Sequence, residues 1–373
     1  MQIQRTLQHW KPLVVSMHKI YLKRLSLLFS GLLVLLLVSC GTLNSSDTQQ
    51  AATPVPMRVN GFGTAANHTH SLAAFPNNVL ILASHYGLFR SADGGKSWTM
   101  VAAGPGQLMD GLMTESLVAS PLNPQRLYVL TLPAVSHAKG TLGLYTSTDQ
   151  GRTWKLAVST ASLGNMFLVQ PGNDNPDEVY TYLPTLGELG LKVSMDAGEH
   201  FTVTGTLPFA PVLSMLAIPG APGHLLVGGN DGMALSTDGG AHWQPVQGIS
   251  GAIFQVTTSG PKGPIYASGD AGIYASQDGG KTFALVYAKN PLSALTVSPM
   301  QPQVLYGKTG TGIYRSSDGG HSWKALPPIK GNLTNLAVDP ENASLLYLAI
   351  SYPTEVYRYD QTSSAWSSLT PKS

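Results

Sequence analysis

From about residue 66 onward, short apolar runs alternate with tight polar turns and recur in a fixed layout. ALTVSPMQPQVLYGKTGTGIYRSSDGGHSW, read up to and past Asp318, lines up with SLAAFPNNVLILASHYGLFRSADGGKSW around Asp93. In both, an alternating apolar stretch leads to a turn containing proline or asparagine, and a second apolar run follows. A glycine turn then opens Gly-Ile/Leu-Tyr/Phe-x-Ser, a polar turn closes it, and a last run starts at tryptophan. Period-two alternation between glycine, proline and asparagine punctuation predicts strands. Four short strands joined by tight turns in about 40 residues is the layout of one propeller blade.

The polar turn is the most regular part. Six copies stand in the chain: SADGGKSW, STDQGRTW, SMDAGEHF, STDGGAHW, SQDGGKTF and SSDGGHSW. Their aspartates are Asp93, Asp149, Asp196, Asp238, Asp278 and Asp318, at intervals of 56, 47, 42, 40 and 40 residues. A degenerate seventh copy, with Asp360 and Trp366 at the box positions, has gained a residue and lost the glycine. The expectation is an all-β fold: a seven-bladed β-propeller over residues 57–373, with four antiparallel strands per blade.

In each copy the glycine supplies a backbone free to take positive φ. The aspartate is suited to accept N–H bonds across its own turn, with the serine adding a weaker bond. The aromatic residue brings a large apolar body to bury between sheets. Catalytic or calcium-binding roles for these aspartates are the alternative. Six equivalent acids in six blades cannot share one active site, so a structural role is expected, on the rim carrying the turns between third and fourth strands.

S-x-D-x-G-x-x-W resembles the Asp-box (bacterial neuraminidase repeat, BNR) superfamily. That superfamily includes sialidases, xyloglucan-cleaving glycoside hydrolases, sortilin-type receptors and photosystem II assembly factors. The Leu-Tyr…Gly-Ile-Tyr-x-Ser-x-Asp-Gly-Gly-x-x-Trp spacing looks most like bacterial sialidase-like and sortilin-like propellers. The resemblance covers about 300 residues. It implies the fold and leaves activity open, because the superfamily holds both enzymes and binders.

The front of the chain has a different character. Lys19, Lys23 and Arg24 precede an apolar run from Leu25 to Val38, too short for a membrane span and suited to a signal-peptide core. The run ends in Leu37-Val38-Ser39-Cys40, which matches the bacterial lipobox. Residues 1–40 are therefore expected to be a lipoprotein signal peptide, with Cys40 lipidated. An ordinary cleavage site and an uncleaved anchor are the alternatives, and translation starts at Met1 or Met17. Residues 41–56, rich in Ser, Thr, Gln, Ala and Pro, read as a flexible linker. The implied location is the bacterial cell envelope, extracytoplasmic and lipid-anchored. Cys40 is the sole cysteine, which excludes an intramolecular disulfide.

Charge changes with that processing. Residues 1–40 hold five basic groups and no acid, so the net charge moves from +2 to −3 without them. No nucleic-acid footprint remains, and a monomer is expected.

Candidate chemistry lies on the face opposite the boxes. The two long early intervals place excess residues there, in Ala103 to Ser116 (Asp110, Glu115), Leu132 to Gly143 (His137, Lys139) and Leu183 to Gly190 (Glu188). Asp110, Glu115 and Glu188 are the candidate carboxyls for a glycosidase, which needs two acids at suitable separation. His68 and His70, at i and i+2 in the first inner strand, project to one side of it, and His85 follows in the next loop. Three imidazoles at one channel mouth suit a transition metal, with Asp110 or Glu115 completing the shell; packing at the entrance is the alternative. Sialidase chemistry requires an arginine triad for a carboxylate. Arg90, Arg126, Arg152, Arg315 and Arg358 all fall on the box side, which leaves only Arg58 free. Three readings follow: a lipid-anchored propeller binding a protein, peptide or glycan; a sialidase-like glycoside hydrolase; and a metal-binding propeller.

Overall fold

A computed structural model of the chain describes residues 62, 67–134, 138–164, 166, 168–182, 190–289 and 292–371. Cys40, Arg58, His137 and Glu188 lie outside these residues. The chain divides into two units, 1–56 and 57–373; the first lies outside the described residues, and the second is the propeller. Among the described residues, no helix is long and apolar enough to cross a membrane.

Seven four-stranded sheets form, each a meander of consecutive antiparallel strands. Blade one runs Thr69–Phe75, Val79–Ser84, Gly87–Ser91 and Thr99–Val101. Blades two to seven start at the inner strands Leu112–Ser120, Leu168–Pro171, Ser214–Ala217, Ile253–Thr258, Ala294–Val297 and Asn332–Val338. Each inner strand packs against the inner strand of the next blade, and Thr69–Phe75 packs against Asn332–Val338 to close the ring. One short helix, Thr160–Leu163, follows blade two, capped by the Ser159 side chain; the strand-only expectation did not include it.

Burial follows position in the blade. Inner strands mix buried with more exposed positions, and in Leu168–Pro171 and Ala294–Val297 every second residue is buried. In blades four and five the second and third strands, such as Ile265–Gly269 and Gly272–Ser276, are buried throughout, because sheets lie on both sides of them. The core is accordingly divided among seven apolar clusters, one at each seam between neighbouring blades. The Leu-Tyr of the repeat fastens these seams. Tyr128, Tyr266 and Tyr306 bury their rings and donate their hydroxyls to Pro176, Pro302 and Ala343, each in the first turn of the following blade. Burying the ring while satisfying its polar end is what makes tyrosine suitable there.

The six boxes share one hydrogen-bond pattern, with serine as its hub. In blade four, Ser236 Oγ donates to Asp238 Oδ1 at 2.8 Å and accepts the Gly240 N–H at 2.8 Å. The His242 N–H donates to the same carboxylate oxygen at 2.9 Å. The residue four after the aspartate also reaches Oδ2 with its side chain: Ser97, Thr153, Thr282 and Ser322 by hydroxyl, His200 and His242 by Nδ1. His200 and His242 are exposed and stand in for the hydroxyl. These bonds hold the acids well below the usual carboxylate range. Asp93 lies at about 2 through the Ser97 hydroxyl and N–H, and Asp238 at about 2 through the His242 N–H and ring.

The box glycine has two constraints. Gly240 has φ +90°, and a Cβ there would lie 2.4 Å from Leu191 of the preceding blade. Gly151, Gly198 and Gly280 meet Ile81, Leu144 and Leu226 in the same way. The box turn therefore packs on its neighbour where no side chain fits. The boxed aromatics are less uniform than expected. Trp98 and Phe283 are buried, whereas Trp154, Phe201, Trp243, Trp323 and Trp366 are half-buried caps on the outer part of their seams.

Candidate functional site

The inner strand of blade one begins on the face opposite the boxes, next to blade seven. Thr69 is buried there: its N–H donates to Ser351 Oγ at 2.9 Å, and its hydroxyl meets those of Thr334 and Ser351. With Thr69 turned into that seam, His68 and His70 flank it and lie together, ring centroids 4.7 Å apart. His85, in the two-residue turn after Val79–Ser84, donates its N–H to the His68 carbonyl at 2.9 Å. Its ring lies 4.8 Å from that of His68. One ligand nitrogen from each of the three rings lies within 4.8 Å of the others, and all three residues are half-buried.

Two other blades complete the surroundings. Tyr352, in the second turn of blade seven, stacks on His68 at 5.1 Å and 29°. Tyr86 sets its edge on His85 at 4.8 Å. Glu115, from blade two, brings Oε2 to 3.4 Å from His70 Nδ1. Backbone contacts fix these partners: Ser71 Oγ donates to the Glu115 carbonyl, and Asn335 Nδ2 donates to the His70 carbonyl, both at 2.9 Å.

Burial dominates the electrostatics. It pushes the His70 imidazole down to about 4, helped by His68 and His85, and the carboxylate at 3.4 Å does not reverse the shift. It also lowers His85, with His68 adding to the effect, and it raises the Glu115 carboxyl. His70 and His85 are therefore neutral at pH 7, the state that offers a lone pair.

The candidate carboxyls separate. The segment expected to be a loop to Ser116 ends at Gly111, because the inner strand of blade two already starts at Leu112; Glu115 is a strand residue and meets the histidines. Asp110 belongs to that loop's own framework. Its carboxylate accepts the Gly106 N–H at 2.8 Å, and its carbonyl accepts Lys139 and Gly140 N–H groups. Asp270 accepts the Ala252 N–H and Glu355 the Tyr357 hydroxyl. Two arginines bridge blade seams, Arg90 Nε donating to the Gln150 carbonyl at 2.9 Å and Arg126 pairing with Asp177, while Arg315 lies over the Tyr306 ring of its own blade.

Sequence reasoning found the three histidines and missed Tyr352, Tyr86 and Asn335. The available signal was Ser351-Tyr352-Pro353 at the second turn of blade seven, the same turn that carries His85-Tyr86 in blade one.

The BNR/Asp-box repeat family matches residues 145–156, which span the box of blade two. No curated protein matches the sequence. Among solved structures, the GH74 xyloglucanase from Xanthomonas campestris is 18% identical, with a TM-score of 0.61 over 84% of this chain and 55% of the enzyme. The chain thus spans little more than half the length of that enzyme. YCF48 from Cyanidioschyzon merolae is 13% identical, with a TM-score of 0.54 over 76% of this chain and 92% of its own. A structure described as YCF48 bound to D1 peptide is 12% identical, with a TM-score of 0.54 over 78% and 93%. At these identities the likeness is one of fold. The chain is a seven-bladed β-propeller whose turn at residues 145–156 matches the BNR/Asp-box repeat.

Proposed function

We propose that this protein is a binding propeller, held at the bacterial cell envelope by a lipid on Cys40, that docks a protein, peptide or glycan on the face opposite its Asp boxes. The observation that carries the reading is Tyr352, half-exposed and stacked on His68 where blades seven, one and two meet. Exposed aromatic rings on a rigid support are the usual anchors of recognition surfaces. Exposed Leu108, in the connection from blade one to blade two, and exposed Leu132, at the end of blade two's second strand, lie on the same face. The likeness in fold to YCF48, solved with a D1 peptide, supports a peptide as ligand. A glycoside hydrolase needs two acids facing one bond; Asp110 shapes its own loop and Glu115 faces His70, while Glu188 lies outside the described residues.

Peptide and glycan arrays probed with the full chain test this reading. Tyr352→Ala should weaken the strongest interaction at least tenfold, and Met300→Ala, on the box side, should leave it unchanged. Absence of binding, or equal loss in both variants, overturns it. The anchor is tested by metabolic labelling with a lipid precursor, which should mark the wild type and not Cys40→Ala; equal labelling rejects the anchor.

A further inference from the structure

The geometry points to a transition-metal site formed by His68, His70 and His85, with Glu115 acting as the carboxylate that orients His70. This inference does not depend on the docking reading, since it concerns the cluster's own nitrogen atoms.

Four observations converge on it. One nitrogen from each ring lies within 4.8 Å of the others. A tetrahedral ion with Zn–N bonds of about 2.0–2.1 Å needs nitrogens roughly 3.4 Å apart, so rotations of little more than an ångström at the ring tips complete the site. His70 Nε2 and His85 Nδ1 are buried with no hydrogen-bond partner among the described residues, whereas buried polar atoms are nearly always paired. Glu115 approaches His70 at Nδ1. A proton on that nitrogen would leave the lone pair on Nε2, the arrangement that carboxylates behind metal-bound histidines favour. Finally, the scaffold is pre-organised: the His85 N–H is bonded to the His68 carbonyl, and Thr69, between His68 and His70, is locked to blade seven.

The donor set selects the ion. Three imidazoles suit zinc, copper or nickel, while magnesium and calcium require oxygen ligands. Three protein ligands also leave a fourth position for water or for a donor group on a docked molecule. The sequence offered Asp110 or Glu115 to complete the shell; the place of Glu115 beside His70 Nδ1 suits it to the orienting role.

The test uses tag-free, full-length protein titrated with Zn²⁺ alone against a chromophoric chelator, with Co²⁺ as the spectroscopic probe. One ion per chain is expected, with Co²⁺ giving the visible bands of a low-coordinate nitrogen site and Mg²⁺ and Ca²⁺ failing to compete. His70→Ala and His85→Ala should each weaken Zn²⁺ binding more than tenfold. Glu115→Gln should weaken it about 10–100-fold while keeping the one-to-one stoichiometry. Circular dichroism identifies any variant that fails to fold; His85 occupies a turn and decides the matter if His70→Ala unfolds. No binding by the wild type, or the same affinity in folded His85→Ala, overturns the site. Arrays run with and without chelator keep this result separate from docking, so either reading can fail alone.

Discussion

Tyr352 lies over His68 with ring centroids 5.1 Å apart and planes within 29°, although the residues come from opposite ends of the propeller sequence. The stack exists only because blade seven closes against blade one. Tyr352 also has φ +61°, a left-handed backbone that an aromatic residue rarely adopts. Its N–H donates to the Asn67 carbonyl at 3.3 Å, which ties the turn to the segment leading into the histidines.

Tyr352→Gly is expected to separate binding from stability. Glycine relieves a left-handed penalty of about 1–2 kcal/mol, which offsets a ring–ring contact of about 0.5–1.5 kcal/mol. Thermal unfolding should therefore move by only a few degrees, while docking on this face falls at least tenfold. A large drop in melting temperature would make Tyr352 a structural clamp.

Acid should loosen the boxes. Asp93 is held at about 2, below the ordinary value of 3.8, by hydrogen bonds that exist only in the folded turn. A carboxyl depressed by folding contributes stability that is whole above the unfolded value and is lost as pH falls toward the folded one. Stability should thus decline as pH falls from about 4 toward 2. Chemical denaturation across that window should show a shallower decline for Asp93→Asn, which starts lower at pH 7. An unchanged slope would mean that the Ser97 bonds contribute nothing.

The architecture was legible in the sequence for reasons these residues make plain. Ser236, Asp238 and Gly240 form one local turn whose bonds span four residues, so the pattern survives in linear order. His68 and His70 were legible as a His-x-His pair at the entry to blade one, although the strand starts only at Thr69 and its pairing shifts register between Thr69 and Ser71. Glu115 was placed in a loop because the strand containing it, Leu112–Ser120, also carries polar residues and shifts register in its pairing with blade two's second strand. Tyr352 was invisible as a site residue because its partner is 284 positions away, and ring closure, not local pattern, brings them together. The aromatic at the end of each box was legible as apolar, but its degree of burial depends on how far the next blade overlaps it.

Two glycines of neighbouring boxes distinguish conformation from close approach. Gly279 has φ +75°, and a Cβ added there would meet nothing within 4 Å, so Gly279→Ala should cost only the backbone term, about 1 kcal/mol. Gly240 has φ +90° and a Cβ position 2.4 Å from Leu191, so Gly240→Ala adds an overpacking cost of about 1–3 kcal/mol. Urea unfolding of the two variants measures the difference. Equal losses would show that the seam yields freely at that point.

The last seam offers a direct test of ring closure. Leu369, just past the final strand, lies where a Cβ on Gly95 would approach to 2.7 Å, and its carbonyl accepts the Trp98 Nε1–H at 3.0 Å. It packs against the cluster shared by blades one and seven. Leu369→Ala should cost about 1–2 kcal/mol, less than a fully buried leucine, because its side chain is only half-buried. Gly95→Ala should be costly for two reasons, its φ of +88° and the collision with Leu369. Removing the leucine removes the collision and leaves the backbone term. The double variant should therefore be more stable than the sum of the single losses predicts, by more than the roughly 0.5 kcal/mol within which independent sites add. Strict additivity in urea unfolding would mean that residues 95 and 369 do not meet in solution, and that blade seven closes the ring by another contact.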